Sequence, residues 1–254
     1  MDERRVYERH VDNPWLLGDV RVDSYGYEKA VEAYTAAIAL NERGPSAPGA
    51  HFGRANAHEG IAAAAANANG ELLLTPVEQR RQYELAVDDY TRCLELRPDD
   101  DDAATPTFER AQAERALGKW SAAAADYDAA AELFTRRRLK KQAKIAEAQA
   151  AFARYEAGDV ATAMTRLETL SRQLYSSDVR AALVACYWRA GEAAKAEDQW
   201  LGLCEMEGAS CGSYGDKSWL IGYRKWTPSL ADSMADFLHL RAAAVAHPRY
   251  EVES

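Results

Sequence analysis

The 254-residue chain has no apolar run near the roughly 18 to 20 residues that a membrane-spanning helix needs. Its longest candidate, IAAAAANANG (61–70), is alanine-rich and soon broken by asparagine. Positive charge is also in short supply: 31 Lys and Arg against 40 Asp and Glu give a net charge of −9, the wrong sign for general nucleic-acid binding. The opening MDERRVYERH has no apolar core for a signal peptide, and Asp2, Glu3 and Glu8 are too acidic for a transit peptide. A trimmed precursor stays open.

Cysteine is scarce, with four residues and no C-x-x-C pair, which removes the usual zinc frameworks. Cys93 and Cys186 fall on apolar helix positions, where a thiol behaves as a small hydrophobe. Cys204 and Cys211 are near enough for a local disulfide in an oxidising compartment, but the expectation is free thiols. Phosphate-loop glycines are missing too. Aligned on Lys217-Ser218, the loop needs glycine at 211 and 216, where this chain has Cys211 and Asp216. The five histidines show no metal spacing, and no G-x-S-x-G elbow occurs. No cofactor, metal or small-molecule substrate is expected, and no enzyme; a site hidden in 61–82 or 208–218 is the enzymatic alternative.

What is present is self-similarity. YEKAVEAYTAAIAL (27–40), YELAVDDYTRCLEL (83–96) and WSAAAADYDAAAEL (120–133) share an aromatic, then Ala, an aromatic and a small residue at steps of three, four and three. Such steps put all four on one helix face. Two weaker copies run through Val160, Ala163, Leu167, Leu170 and through Ala193, Ala196, Trp200, Leu203. Before each of the last three copies a helical segment ends in Gly118, Gly158 or Gly191, suited to the left-handed residue that closes a helix. The unit is helix, tight turn, helix.

This unit resembles the tetratricopeptide repeat, whose period is 34 residues. The key alanines, at 30, 86, 123, 163 and 196, are spaced by 56, 37, 40 and 33, so the array is irregular. The resemblance implies an all-α, right-handed superhelix (an α-solenoid) of about five helix pairs with a C-terminal capping helix. Residues 1–11 form an N-terminal extension, 12–208 the repeats, and 209–254 a linker and cap. NPWLLG supplies the first leading helix, and an insertion near 61–82 reads as a lengthened helix followed by a loop. Between Gly118 and Gly158 there is neither glycine nor proline, so those helices should be about a turn too long.

In the register of that family, the concave groove would be lined by Arg54 and His58; Phe108, Gln112 and Arg115; Phe152 and Tyr155; and Trp188 and Arg189. Aromatic and Arg residues on such a wall suit capture of a peptide or helix. Equally, Phe152, Tyr155 and Trp188 suit plain packing between repeats. The positions that clamp a C-terminal carboxylate in chaperone-binding repeats hold Ala50, Arg54, Glu109, Ile145 and Gln149; with one base among them, no such clamp is expected. Arg136, Arg137, Arg138, Lys140, Lys141 and Lys144 form the one basic patch. It reads as a solvated turn balanced by Asp99 to Asp102, or as a contact for anionic lipid or an acidic partner.

Beyond the repeats, Trp219, Leu220, Tyr223 and Trp226 make an apolar group around Arg224 and Lys225. Pro228 then opens a helix with Leu230, Met234, Phe237 and Leu238 on one face, a cap for the last repeat. With WRAGEAAKAEDQW, this tryptophan–basic–Trp-x-Pro…Phe-Leu ending is similar to a group of plastid and cyanobacterial tetratricopeptide proteins, which usually carry two prolines after the tryptophan. The resemblance implies a chloroplast, thylakoid-associated scaffold or assembly factor, with photosystem or antenna subunits as partners and peripheral membrane contact; otherwise the location is cytoplasmic. An organellar RNA-binding repeat protein is the alternative.

Overall fold

Every regular element among the described residues is helical, as steps of three and four between aromatic and small residues predict. The computed structural model describes residues 24–64, 74–97, 101–173 and 176–246. The chain divides into two compact units, Met1–Gly118 and Lys119–Ser254. The 1–11 extension, NPWLLG and residues 247–254 lie outside the described residues. Among those described, no helix is long and apolar enough to cross a membrane.

Unit 1 contains α1 (Ser24–Leu40), α2 (Ala47–Ala63), α3 (Pro76–Leu96), a 3-10 turn (Asp101–Ala103) and α4 (Ala104–Ala116). Each helix packs on the next. The α1–α2 approach depends on glycine: a Cβ at Gly60 would lie 2.4 Å from the Tyr27 ring, and one at Gly53 2.2 Å from the Tyr34 ring. Two rings and two glycines, each seven residues apart, thus zip antiparallel helices together. At the repeat positions of α3, Ala86 and Tyr90 are fully buried and Cys93 nearly so.

The insertion is more helical than its composition suggests. Thr75 accepts the Glu78 N–H while Glu78 accepts the Thr75 N–H, a reciprocal capping box with Pro76 in the first turn. Helix α3 therefore starts before its repeat motif and reaches 21 residues. Residues 65–73 of the predicted insertion lie outside the described residues.

Unit 2 runs α5 (Trp120–Arg136), α6 (Lys140–Glu156), α7 (Val160–Gln173), α8 (Ser177–Arg189) and α9 (Ala193–Glu207), each packed on its successor. A 3-10 segment (Gly208–Gly215), α10 (Lys217–Gly222) and α11 (Pro228–Ala246) complete it. Ala123, Tyr127 and Ala130, then Ala163, Leu167 and Leu170, then Ala196, Trp200 and Leu203 are buried as the repeat predicts. The leading positions lie at the helix starts, where Trp120 and Val160 are half-buried and Ala193 is exposed. Gly118, Gly158 and Gly191 have φ of 74°, 92° and 79° and close α4, α6 and α8. Helices α5 and α6 have 17 residues each against 13 in α4 and α8, the expected extra turn. The turn between them puts Arg138 at φ 62°, a left-handed conformation without glycine.

Three expectations for the C-terminal region change. Cys204 and Cys211 form a disulfide instead of standing as free thiols; the chain reverses after α9 and brings their Cα atoms to 5.1 Å. Residues 208–215 are not a plain linker, since Tyr214 is buried there and donates to Asp178 at 3.0 Å. Leu220 and Trp226 are buried, but Tyr223 is exposed, stacked on Trp219. Asp216 accepts the Trp219 N–H and Lys217 pairs with Asp232, so the residues that mimic a phosphate loop cap α10 and tie it to α11.

Candidate functional site

The leading helices α6 and α8 of unit 2 carry Phe152, Tyr155, Trp188 and Arg189. Expected on a concave wall, Phe152 and Tyr155 are instead buried, at 2% and 4% exposure. The Phe152 ring meets Trp226 at 5.8 Å, Tyr155 and Ser233 hydroxyls are 2.6 Å apart, and Trp188 lies edge-on to Phe237 at 5.7 Å. Glu156 accepts from the Ser229 N–H and hydroxyl at 2.9 Å, anchoring the start of α11. This wall is filled by the chain's own C-terminal helix, so packing accounts for the aromatics. Arg189 alone of the four is exposed.

In unit 1, Arg54 and His58 are likewise engaged internally. Arg54 makes two 2.7 Å bonds to the Asp89 carboxylate and donates to Thr35 at 3.1 Å, joining α1, α2 and α3. His51 Nδ1 reaches the same carboxylate at 2.8 Å, and His58 Nδ1 lies 2.7 Å from Gln82 Oε1. Burial lowers the His58 pKa, against the Gln82 hydrogen bond. His51, Arg54 and His58 share one face of α2 because steps of three and four align them. They form a structural lock between helices.

Another face of α2 carries Asn56 and Glu59 toward α3 and α4. The Tyr90 hydroxyl lies 2.6 Å from Asn56 Oδ1 and 2.5 Å from Glu59 Oε2. One phenolic proton cannot serve two acceptors; the arrangement closes either when Glu59 is protonated and donates back or when the Asn56 amide is turned so that its N–H donates to the phenol. Burial pushes the Glu59 carboxyl up to about 8, aided by the negative field of Glu109 and opposed by Tyr90 and Arg115. Burial also raises Glu109 to about 7, against a hydrogen bond from Gln112. Neither carboxylate has an ion pair among the described residues. Arg115 is half-buried, with its Nε unpartnered. Phe108 is half-buried on the same helix.

Of the predicted groove residues, Gln112 and Arg115 are thus brought into this cluster. Glu59 has no mark of its own among 40 acidic residues, and the sequence places Tyr90 only as a packing aromatic of the repeat and Glu109 only as a clamp position without a base. The available signal was Glu109, an acid among positions that in the clamp pattern hold Lys, Asn and Arg. A pair of high-pKa carboxyls exchanges protons near neutrality and can receive a cationic group.

The basic patch forms the turn between α5 and α6. Arg136, Arg137, Arg138, Lys140 and Lys141 are exposed, whereas Lys144 is drawn onto Glu147 and Gln173. Lys140 and Lys141 sit in the first turn of α6, where the helix dipole disfavours cations. Asp99 and Asp100 lie outside the described residues. Among known proteins, no family model matches this chain and no curated protein matches it.

Proposed function

We propose that the chain is a non-enzymatic helical-repeat scaffold, a tetratricopeptide-like right-handed superhelix, that receives a basic segment of a protein partner on the α2–α4 face of unit 1. One observation carries this reading: Glu59 and Glu109 act on each other with raised pKa values, and among the described residues neither has a cation paired to it. A Lys or Arg from a partner would supply the missing charge and release bound protons, so association should strengthen as pH rises from about 6 to 8. The aromatic wall of unit 2 is already covered by α11, which leaves unit 1 as the receiving face. Photosystem and antenna subunits at a thylakoid surface are the partners to test first, on the C-terminal resemblance alone.

The test is co-purification of the tagged chain against a Glu59→Gln/Glu109→Gln variant after mild cross-linking. The reading stands if defined proteins travel with the natural sequence and are lost with the variant. It falls if the chain runs alone as a monomer, or if the variant retains the same proteins. The exposed turn from Arg136 to Lys141 favours a second reading, RNA binding in organelle gene expression. That reading requires nuclease-sensitive, salt-sensitive RNA in the purified material, removed by neutralising those five residues.

A further inference from the structure

A cleft of about 660 Å³ opens between α7, α8 and α9, within the range of roughly 300 to 1,000 Å³ found for small-molecule sites. Arg172, Arg180 and Lys195 contribute cations from the three helices in turn. In a chain of net charge −9 they face a single carboxylate, Glu168. Glu168 is occupied, accepting the Tyr187 hydroxyl at 2.7 Å. Lys195 pairs with Glu192 at the rim and lies 5.3 Å from the centre of the Tyr187 ring.

Among the described residues the two guanidinium groups have no such carboxylate partners. Arg172 makes only a 3.4 Å contact to Thr169 Oγ1, and neither it nor Arg180 forms an ion pair among the described residues. The Nε of Arg180 and the Oε1 of Gln199 are shielded from solvent and unpartnered. Shielded donors without acceptors are unfavourable unless something else supplies the oxygen. The Gln199 amide can turn end for end and offer a donor as well. Leu183 and the Tyr187 ring add apolar surface beside these groups.

We infer that this cleft binds a small organic phosphate, with Arg172 and Arg180 on the phosphoryl oxygens and Leu183 and Tyr187 against the carbon skeleton. Two planar forks match a dianion with three terminal oxygens, whereas one carboxylate would satisfy only one fork. The site is independent of the carboxylate face of unit 1.

Titration calorimetry on the full chain with phenyl phosphate, inorganic phosphate and benzoate tests it. Phenyl phosphate should bind saturably and about tenfold more tightly than either simpler probe, since each matched group adds its own increment. Arg180→Gln and Arg172→Gln should each weaken it about tenfold or more. An Arg136→Gln/Arg137→Gln change on the separate basic turn should leave it unaltered. Circular dichroism checks folding; should Arg180→Gln unfold, the exposed Arg172 decides the matter alone. No saturation by about 10 mM, equal binding of benzoate, or a loss caused by the turn variant instead of the cleft variants overturns the inference.

Discussion

Units 1 and 2 are built from similar helical units but held together by different chemistry. In unit 1 the buried residues include His51, His58, Asp89, Thr107 and Glu114. Among the described residues of unit 2 the buried polar set is Thr227 and Ser233, while Trp226, Leu167, Leu183, Leu203 and Met234 are wholly enclosed. A polar lock depends on every partner being present, because a lone buried charge is far worse than none. An apolar core depends instead on volume and shape. Unit 2 used its aromatic wall to seat its own last helix, whereas unit 1 keeps a carboxyl pair that has no ion pair among the described residues, with the field of Arg115 opposing the rise at Glu59.

The sharpest way to break this contrast is Trp226→Ala, which removes a fully buried ring lying against Phe152 and Tyr214. Truncating such a ring should cost about 3 to 5 kcal/mol, read by urea unfolding and by faster hydrogen exchange in α11. A loss below about 1 kcal/mol would mean that α11 is not seated by its rings. Next comes Asp89→Ala, which strands Arg54 and His51 together; about 2 to 3 kcal/mol is expected once partial exposure of Arg54 is discounted. Asp178→Ala in unit 2, whose pairing with Arg224 is more exposed but which also accepts the Tyr214 hydroxyl, should cost less, about 1 to 2 kcal/mol. Equal losses at the two aspartates would erase the distinction.

A smaller effect concerns pH. Glu59 and Glu109 have raised folded-state pKa values, about 8 and about 7, against an ordinary 4.5, so the folded chain holds protons that the unfolded chain releases. Their stabilising contribution is complete below the unfolded value and is lost as pH climbs through 7 and 8. Melting temperature should therefore fall from pH 6 to 9, and Glu59→Gln/Glu109→Gln should flatten that decline. An unchanged slope would assign the titration to other groups. The smallest effect is a gain: Arg138→Gly should stabilise unit 2 by up to about 1 kcal/mol, because glycine tolerates the left-handed turn that Arg138 adopts at φ 62°. If stability falls instead, the arginine side chain contributes more than its backbone costs.

Helix boundaries were largely legible because they are written locally. Gly118, Gly158 and Gly191 mark left-handed closures, and the absence of glycine between 118 and 158 foretold the longer α5 and α6. The capping box at Thr75 is equally legible in T-P-V-E, and it starts a helix where the insertion reads as a loop. The groove was only half legible. Periodicity put Phe152 and Tyr155 on the right helix, but what covers them arrives from more than seventy residues away, at Trp226 and Ser233.

By itself, then, the amino-acid order set the helical class, the turn positions and most of the buried face of the later four copies, since all three follow from spacing within a few residues. In the first copy Tyr27, Ala30 and Tyr34 are only half-buried and Ala37 is exposed. Tertiary structure alone decided that α11 occupies the wall of α6 and α8, that Asp89 gathers Arg54 and His51, and that Glu59 meets Tyr90 and Glu109. Those outcomes depend on long-range burial and on fields between side chains remote in the chain, which no local pattern encodes.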